Sequence, residues 1–362
     1  MSNNIEKVAV GLSGGVDSSV AAAILKKSGY DVIGISMAVF DDSIDLEEGQ
    51  GHACFDPKEE EEMKIAEEVC EQLSIPFYKL DLSGAFQEHV LDYFKKEYLS
   101  GRTPNPCVVC NNMMKFGYLI NEALDSGIDF DYFATGHYAR KTQEKGEYRI
   151  LKPSDKSKDQ TYFLYAIDKN IVRKLKFPLG NKSKVEVRKL AEEFDLPTSE
   201  VDESQDFVSG DYAQIFDEDE MESGKIINTQ GKVLGKHDGI VNYTVGQRRG
   251  LGISHHSPLY VKEIDANNNR IVVTEDKEKL YSAGLIAENV NLLTNRLNEE
   301  ENLKIKIRKN SEEVPGRVKF KTDRIKVDFK NPQRAVTPGQ SAVLYRGEQL
   351  LGGGVITKAI SS

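Results

Sequence analysis

The 362-residue chain predicts an α/β protein. A doubly wound parallel sheet over residues 1–198 is followed by a small, mainly-β central domain over 199–283 and a C-terminal β-barrel over 284–362. Three observations carry this reading. Short apolar runs alternate with helically spaced segments as far as about Leu196, the order of a parallel sheet with crossover helices. At Pro197 the texture changes to short strand-like runs broken by Asn, Asp and Gly. Beyond Leu285, apolar residues recur at every second position between Lys and Arg, the period of half-buried antiparallel strands.

The first element is the buried-strand run Val8-Ala9-Val10, followed by Gly11-Leu12-Ser13-Gly14-Gly15-Val16-Asp17-Ser18 and the apolar stretch Val20 to Leu25. That is strand, tight loop, helix. The glycines let successive N–H groups point into one small volume, and the helix adds its unpaired N–H groups and the positive end of its dipole. The outcome is a cradle for a phosphate or pyrophosphate. No Gly-Lys-Ser/Thr follows the glycines, which excludes a Walker A loop, and no G-x-G-x-x-G occurs here.

Val32 to Met37 completes a βαβ unit, with Met37 at the carboxyl end where ligands of open α/β sheets lie. Asp41 to Pro57 reads as an acidic loop holding His52 and Cys54. Lys58 to Leu73 reads as a helix with Cys70 among its apolar residues, Pro76 to Leu80 as a strand, and Phe86 to Tyr98 as a helix. The run Gly101-Arg102-Thr103-Pro104-Asn105-Pro106-Cys107-Val108-Val109-Cys110 contains two prolines. It reads as an ordered, non-helical loop closed by the two cysteines. Lys115 to Leu124 is a helix, and Phe130 to Thr135 a strand entering Gly136, where the missing Cβ suits close approach of a ligand. Lys184 to Phe194 is the last helix of this part.

In the central domain, Ile226-Ile227, Tyr243 to Val245, Leu259 to Val261 and Ile271 to Val273 read as strands. Gly246-Gln247-Arg248-Arg249-Gly250-Leu251-Gly252 places two arginines between glycines, a composition suited to phosphate contact. In the last part, Ile305, Ile307, Val318, Phe320, Ile325, Val327 and Phe329 form one apolar face. Turn signals at Pro315-Gly316, Pro338-Gly339 and Arg346-Gly347 break it into the strands of a barrel.

The net charge is −10 but unevenly spread. From Leu285 onward, fourteen Lys and Arg face nine Asp and Glu, a balance of +5 on an otherwise acidic body. Such a basic third can offer a phosphate-binding face. Four cysteines do not make a disulfide framework in a chain this long. The start, Met1 to Lys7, has no signal-peptide pattern, and no apolar run is long enough to cross a bilayer. A cytoplasmic setting with no membrane partner is the expectation. His89, His237, His255 and His256 read as structural or surface residues without metal spacing.

The order Ser13-Gly14-Gly15-Val16-Asp17-Ser18-Ser19 is similar to the PP-loop of N-type ATP pyrophosphatases, whose fold is adenine nucleotide alpha hydrolase-like. With it occur Gly101 to Pro106 followed by cysteine, Lys115-Phe116, Ala134 to Tyr138, Lys158 to Leu164, Gly246 to Gly252, Thr337 to Val343 and Leu351 to Gly354. Together these motifs resemble the tRNA-specific 2-thiouridylase (MnmA) family over nearly the whole chain. The resemblance implies an enzyme that uses ATP and Mg²⁺ to adenylate O2 of the wobble uridine of tRNA and then replaces that oxygen with sulfur. It assigns Gly11, Leu12, Ser13, Gly14, Gly15, Val16, Asp17 and Ser18, with Met37 and Gly136, to ATP, and Asp17 to Mg²⁺. It assigns Asn105, Pro106 and Cys107 to the target base, and Lys158, Asp159, Gln160, Arg308 and Lys309 to tRNA. Cys110 matches the family's nucleophile.

Two departures stand out. Cys107 replaces an aspartate common in relatives, and the stretch Asp202 to Tyr212 lacks the cysteine that carries persulfide in them. Four arrangements remain open. Cys54, Cys107 and Cys110 could hold a [4Fe–4S] cluster that takes up hydrosulfide; Cys107 and Cys110 could act as a pair served by a protein persulfide carrier; His52 could join the three cysteines on Zn²⁺; or Cys54 is an ordinary loop thiol. Two rival functions also stand: another PP-loop adenylating ligase or amidotransferase, and a non-catalytic tRNA-binding module.

Overall fold

The computed structural model describes residues 5–41, 53–198, 206–208 and 211–361. The chain divides into two compact units that interleave along the sequence. One contains residues 1–90, 107–211 and 348–350; the other contains 91–106, 212–347 and 351–362.

The first unit is built on a five-stranded sheet in the order Phe77–Asp81, Asp31–Ala38, Lys7–Gly11, Tyr132–Ala134 and Leu175–Lys176. All four pairings are parallel. The first strand lies at the centre, with Asp31–Ala38 on one side and Tyr132–Ala134 on the other. The strand order therefore reverses there, and the crevice beyond its carboxyl end is the ligand position of such sheets. Val8, Ala9 and Val10 are fully buried, as expected for a strand covered on both faces.

Helix Val16–Lys27 follows the first strand, and Lys26 and Lys27 in its last turn favour its negative end. Helix Glu59–Leu73 starts with four glutamates, suited to its positive end, and stops at Ser74 in a left-handed conformation. It packs so closely that a Cβ on Gly34 would lie 2.4 Å from Cys70 Sγ. Glycine is required there for helix and sheet to meet. The helix expected from Phe86 to Tyr98 is part of a longer helical run, Ser83–Phe86, Gln87–Leu91 and Asp92–Leu99, with a π-helical middle.

In the first unit, three elements differ from the sequence reading. The cysteine loop is a helix: Pro106–Val109 is α-helical and continues as the π-helix Cys110–Tyr118 and the α-helix Leu119–Asp125. Pro106 stands at its first residue, where a missing N–H costs nothing. Arg140–Glu144 and Glu147–Leu151 form an unforeseen antiparallel hairpin turned by Lys145 and Gly146, both at positive φ. Ala53–Phe55, inside the expected loop, forms a parallel pair with Asp206–Val208.

The second unit holds a four-stranded sheet and a barrel. The sheet order is Val233–His237, Gly224–Asn228, Arg270–Thr274 and Tyr260–Asp265. Tyr243 to Val245 is not a strand; it follows the short 3₁₀ turn Ile240–Asn242, and the Thr244 N–H is taken by the Gln247 side chain at 2.9 Å. The barrel runs Tyr281–Leu292, Arg324–Arg334, Val314–Phe320, Glu300–Lys306, Ser341–Arg346 and Gln349–Ser361, and its last strand pairs back to its first. Closure removes open sheet edges. Leu285, Ile305, Val318, Ile325, Val327, Leu344 and Ile356 fill its interior, the face expected from the alternation.

Candidate active site

The glycine loop sits where the first strand ends. Leu12 and Val16 are buried and anchor it at both sides. Leu12 N–H donates to Ile35 O at 2.9 Å, and Ser36 Oγ donates to Leu12 O at 2.8 Å. Gly14 has φ +70°, and a Cβ there would lie 2.5 Å from Glu62 O. Ser18 Oγ and Ser19 Oγ both donate to Gly15 O, at 3.0 and 2.9 Å. Ser13 N–H donates to Ser18 Oγ at 3.3 Å. The loop is thus held by its own hydroxyls. Among the described residues, neither the Gly14 nor the Gly15 N–H meets an acceptor. Two amides at a helix N-terminus in that condition suit an anion.

Asp17, in the first helical turn, is held by residues the sequence did not single out. Its Oδ1 accepts from Tyr138 Oη at 2.8 Å and from Lys184 Nζ at 2.9 Å. The Lys184 and Asp17 side chains are mostly buried, with relative exposures of 12% and 22%. Lys184 opens a helix fixed by a Ser183/Glu186 capping box. An acid, a lysine and a phenol therefore meet at the head of the phosphate-facing helix. Met37 is half-buried at the carboxyl end of its strand.

Gly136 closes against this loop. A Cβ there would lie 2.7 Å from both Asp17 C and Ser18 N, so only glycine allows the approach. The next residue, His137, places Nδ1 2.9 Å from Thr135 Oγ1. Desolvation, reinforced by the charge of Lys115, pushes its imidazole down to about 3. Tyr138 N–H donates to Gln160 Oε1 at 2.8 Å. Asp159 Oδ1 accepts from the Thr161 N–H and Oγ1 at 2.9 and 2.6 Å. Gln160 and Asp159 therefore brace the strand exit and the following 3₁₀ turn, and Lys158, half-buried, begins the same segment.

The cysteine helix is tied to the same place. Phe116 rests against His137 at 5.9 Å between ring centroids and edge-on to Phe133 at 6.1 Å. Cys110 lies six residues earlier in the same π-helical segment. Cys107 is half-buried and Cys110 buried. Three residues apart on a helix, they share a face. Asn111 Nδ2 donates to Cys107 O at 2.8 Å, while its buried Oδ1 has no hydrogen-bond partner. A buried acceptor left without a partner is an unfinished polar site. Cys70 is different: burial and the nearby Glu67 charge push its thiol up to about 12, and it belongs to the core. His52 lies outside the described residues, as does the side chain of Cys54, whose backbone is in the strand Ala53–Phe55.

The second unit holds the segment before the cysteines. Thr103 N–H donates to Pro338 O at 2.9 Å. Gln340 Nε2 donates to Thr103 O and Pro104 O at 3.1 and 3.0 Å. Gly339 has φ +92°, and a Cβ there would lie 2.7 Å from Thr103 O. The turn Thr337 to Gln340 thus clamps the strand of chain that leads to Asn105 and Pro106. Arg308 is committed internally: its guanidinium donates to Val245 O at 3.1 Å, to Ala335 O at 2.7 Å and to Thr337 Oγ1. Lys309 is exposed.

The sheet and its glycine loop define a class: the ATP-binding PP-loop domain. Residues 6–209 match the family model described as the tRNA methyl transferase HUP domain; 215–275 match its PRC-barrel domain, and 282–356 an aminomethyltransferase beta-barrel domain. The chain is 43% identical over 364 residues, 98% of both chains, to the tRNA-specific 2-thiouridylase MnmA 2 of Thermoanaerobacter sp. (strain X514). It is 41% identical to the MnmA of Carboxydothermus hydrogenoformans, again over 98% of both chains. It is 43% identical to MnmA 1 of Syntrophus aciditrophicus, over 98% of this chain and 94% of that one. The chain belongs to the MnmA family of tRNA-specific 2-thiouridylases.

Proposed function

We propose that this protein is a tRNA-uridine 2-sulfurtransferase in which the glycine loop and the cysteine helix serve consecutive steps. A uracil carbonyl is amide-like, and its oxygen is a poor leaving group. The uridine O2 attacks the α-phosphorus of ATP, the bond to the β-phosphate oxygen breaks, and pyrophosphate departs. Sulfur then adds at C2, and the C2–O bond breaks with release of AMP. Gly11 to Ser18, Met37 and Gly136 hold the nucleotide; Asp17, fixed by Tyr138 and Lys184, would help hold Mg²⁺ at the pyrophosphate. Asn105, Pro106 and Cys107 receive the extruded base, and Lys158 and Lys309 contact tRNA. Arg308, Asp159 and Gln160 support those contacts by fixing backbone. The working division is an ATP-binding part to residue 198, a central part to 283 and a tRNA-binding barrel beyond.

One observation carries this reading. The helix bearing Cys107 and Cys110 packs through Phe116 on His137, and the glycine just before His137 abuts Asp17 and Ser18. Sulfur and nucleotide chemistry are thus built on one chain of contacts.

The two cysteines, three residues apart on one helix, suit a metal cluster. Cys107 and Cys110 would hold two of its irons and Cys54 a third. Such a cluster, when bound, would supply an iron free of protein ligands and able to take up sulfide. A bound cluster would replace the need for a protein persulfide at the cysteine missing between Asp202 and Tyr212.

The test is Cys110→Ser, assayed for pyrophosphate release and for 2-thiouridine in tRNA. Loss of the thiolated base with pyrophosphate release kept supports the assignment. Thiolation that survives the substitution overturns it and favours another adenylating activity. Anaerobic purification with iron and sulfide analysis of the parent and Cys54→Ala separates the cluster from a cysteine pair.

A further inference from the structure

We infer that His255, His256 and Glu275 form a binding site for a divalent transition cation of the Zn²⁺ class, separate from the thiol site. The two histidines carry no metal spacing in the sequence, being adjacent, and Glu275 lies far along the chain. The fold joins them. Tyr260 pairs with Thr274 in antiparallel register, which brings the loop before Tyr260 beside the residue after Thr274. His255 Nε2 then lies 3.5 Å from Glu275 Oε1, and His256 Nε2 lies 3.3 Å from Glu275 Oε2. One ligand atom from each residue falls within 4.8 Å of the others.

These separations match the chemistry. Ligands bound at about 2.1 Å in a tetrahedron stand about 3.4 Å apart. Imidazole with carboxylate is a donor set suited to Zn²⁺ rather than to Ca²⁺ or Mg²⁺, which prefer all-oxygen sites. A second feature supports the assignment. His255 Nδ1 lies 3.3 Å from Ser257 O and 3.4 Å from Ser257 N. With Nδ1 engaged at Ser257, Nε2 is the ring nitrogen turned to Glu275, the orientation in which an outer contact fixes a metal-binding imidazole. The two rings stand 4.2 Å apart between centroids, close enough to share one cation. Three protein ligands leave one tetrahedral position. Both histidines also line a cavity of about 570 Å³ together with Arg248, so water or an anionic oxygen can reach that position. A bound cation would fasten the loop from Gly250 to Leu259 to the end of the strand Arg270–Thr274.

The experiment is equilibrium dialysis of the full chain against Zn²⁺, with Co²⁺ substitution as the spectroscopic readout. The parent should bind one equivalent more than Glu275→Gln, and His256→Ala should weaken that equivalent by at least ~10-fold. Cobalt at this site gives visible d–d bands without a thiolate charge-transfer band, which distinguishes it from metal on the cysteines. His256 is 75% exposed, so its alanine variant keeps the fold and the comparison intact. Equal stoichiometry and identical cobalt spectra for the parent and both variants would overturn the site.

Discussion

Two glycine turns, one in each unit, look alike in backbone terms and serve opposite ends. Gly14 and Gly339 both have positive φ, and at both a Cβ would strike a carbonyl oxygen, Glu62 O at 2.5 Å or Thr103 O at 2.7 Å. Around Gly339 the polar groups are spent: its N–H donates to Ile356 O at 2.8 Å, and Gln340 caps two more carbonyls. Around Gly14 and Gly15 the amides meet no acceptor among the described residues. A saturated turn is a brace, whereas a turn held open by its own serines is a receptor. The lesson is that glycine marks both and hydrogen-bond bookkeeping tells them apart.

That contrast can be broken from either side. Gly14→Ala should have the largest effect, lowering ATP-dependent pyrophosphate release on the order of 100-fold, because the loop must shift off the nucleotide. A near-normal rate would mean that the loop is a brace after all. Gln340→Ala should cost about 1–2 kcal/mol of stability. It should raise KM for tRNA while leaving the ATP dependence alone, as steady-state kinetics with each substrate will show.

The walls of the receptor supply a pH test. His137 is kept neutral to about 3 in the folded chain but titrates near 6.5 when unfolded. Between those values the unfolded state binds the extra proton. Stability is therefore full above about pH 6.5 and falls as pH drops toward 3. Urea midpoints should decline over that window, less steeply for His137→Asn; parallel declines would contradict the burial. The smallest effect distinguishes sealed from open thiols. Native alkylation followed by peptide mass analysis should label Cys107 and leave Cys70 unmodified, since the Cys70 thiol is pushed up to about 12.

Much of this was legible in the chain itself. The strand, glycines and helix from Val8 to Leu25 carry local signals that agree with each other. The barrel alternation from Ile305 to Phe329 does too. The cysteine segment was misread because Pro106 signals both a loop and the first turn of a helix, and only packing decides. Tyr138 and Lys184 reach Asp17 across 121 and 167 residues; no periodicity reports such a meeting. The pairing of His255 and His256 with Glu275 depends on strand register, which adjacent histidines do not encode.

The wide turns from Cys110 to Tyr118 carry one more consequence. Such a segment holds an extra residue relative to ordinary helical winding. Delete one position inside it and the coil can retighten to ordinary winding while Cys107 and Cys110 keep nearly their direction relative to Phe116. A residue removed from the ordinary turns on either side meets no such slack and rotates whatever lies beyond it by about 100°, so the wide turns are where this helix can best absorb a loss of length.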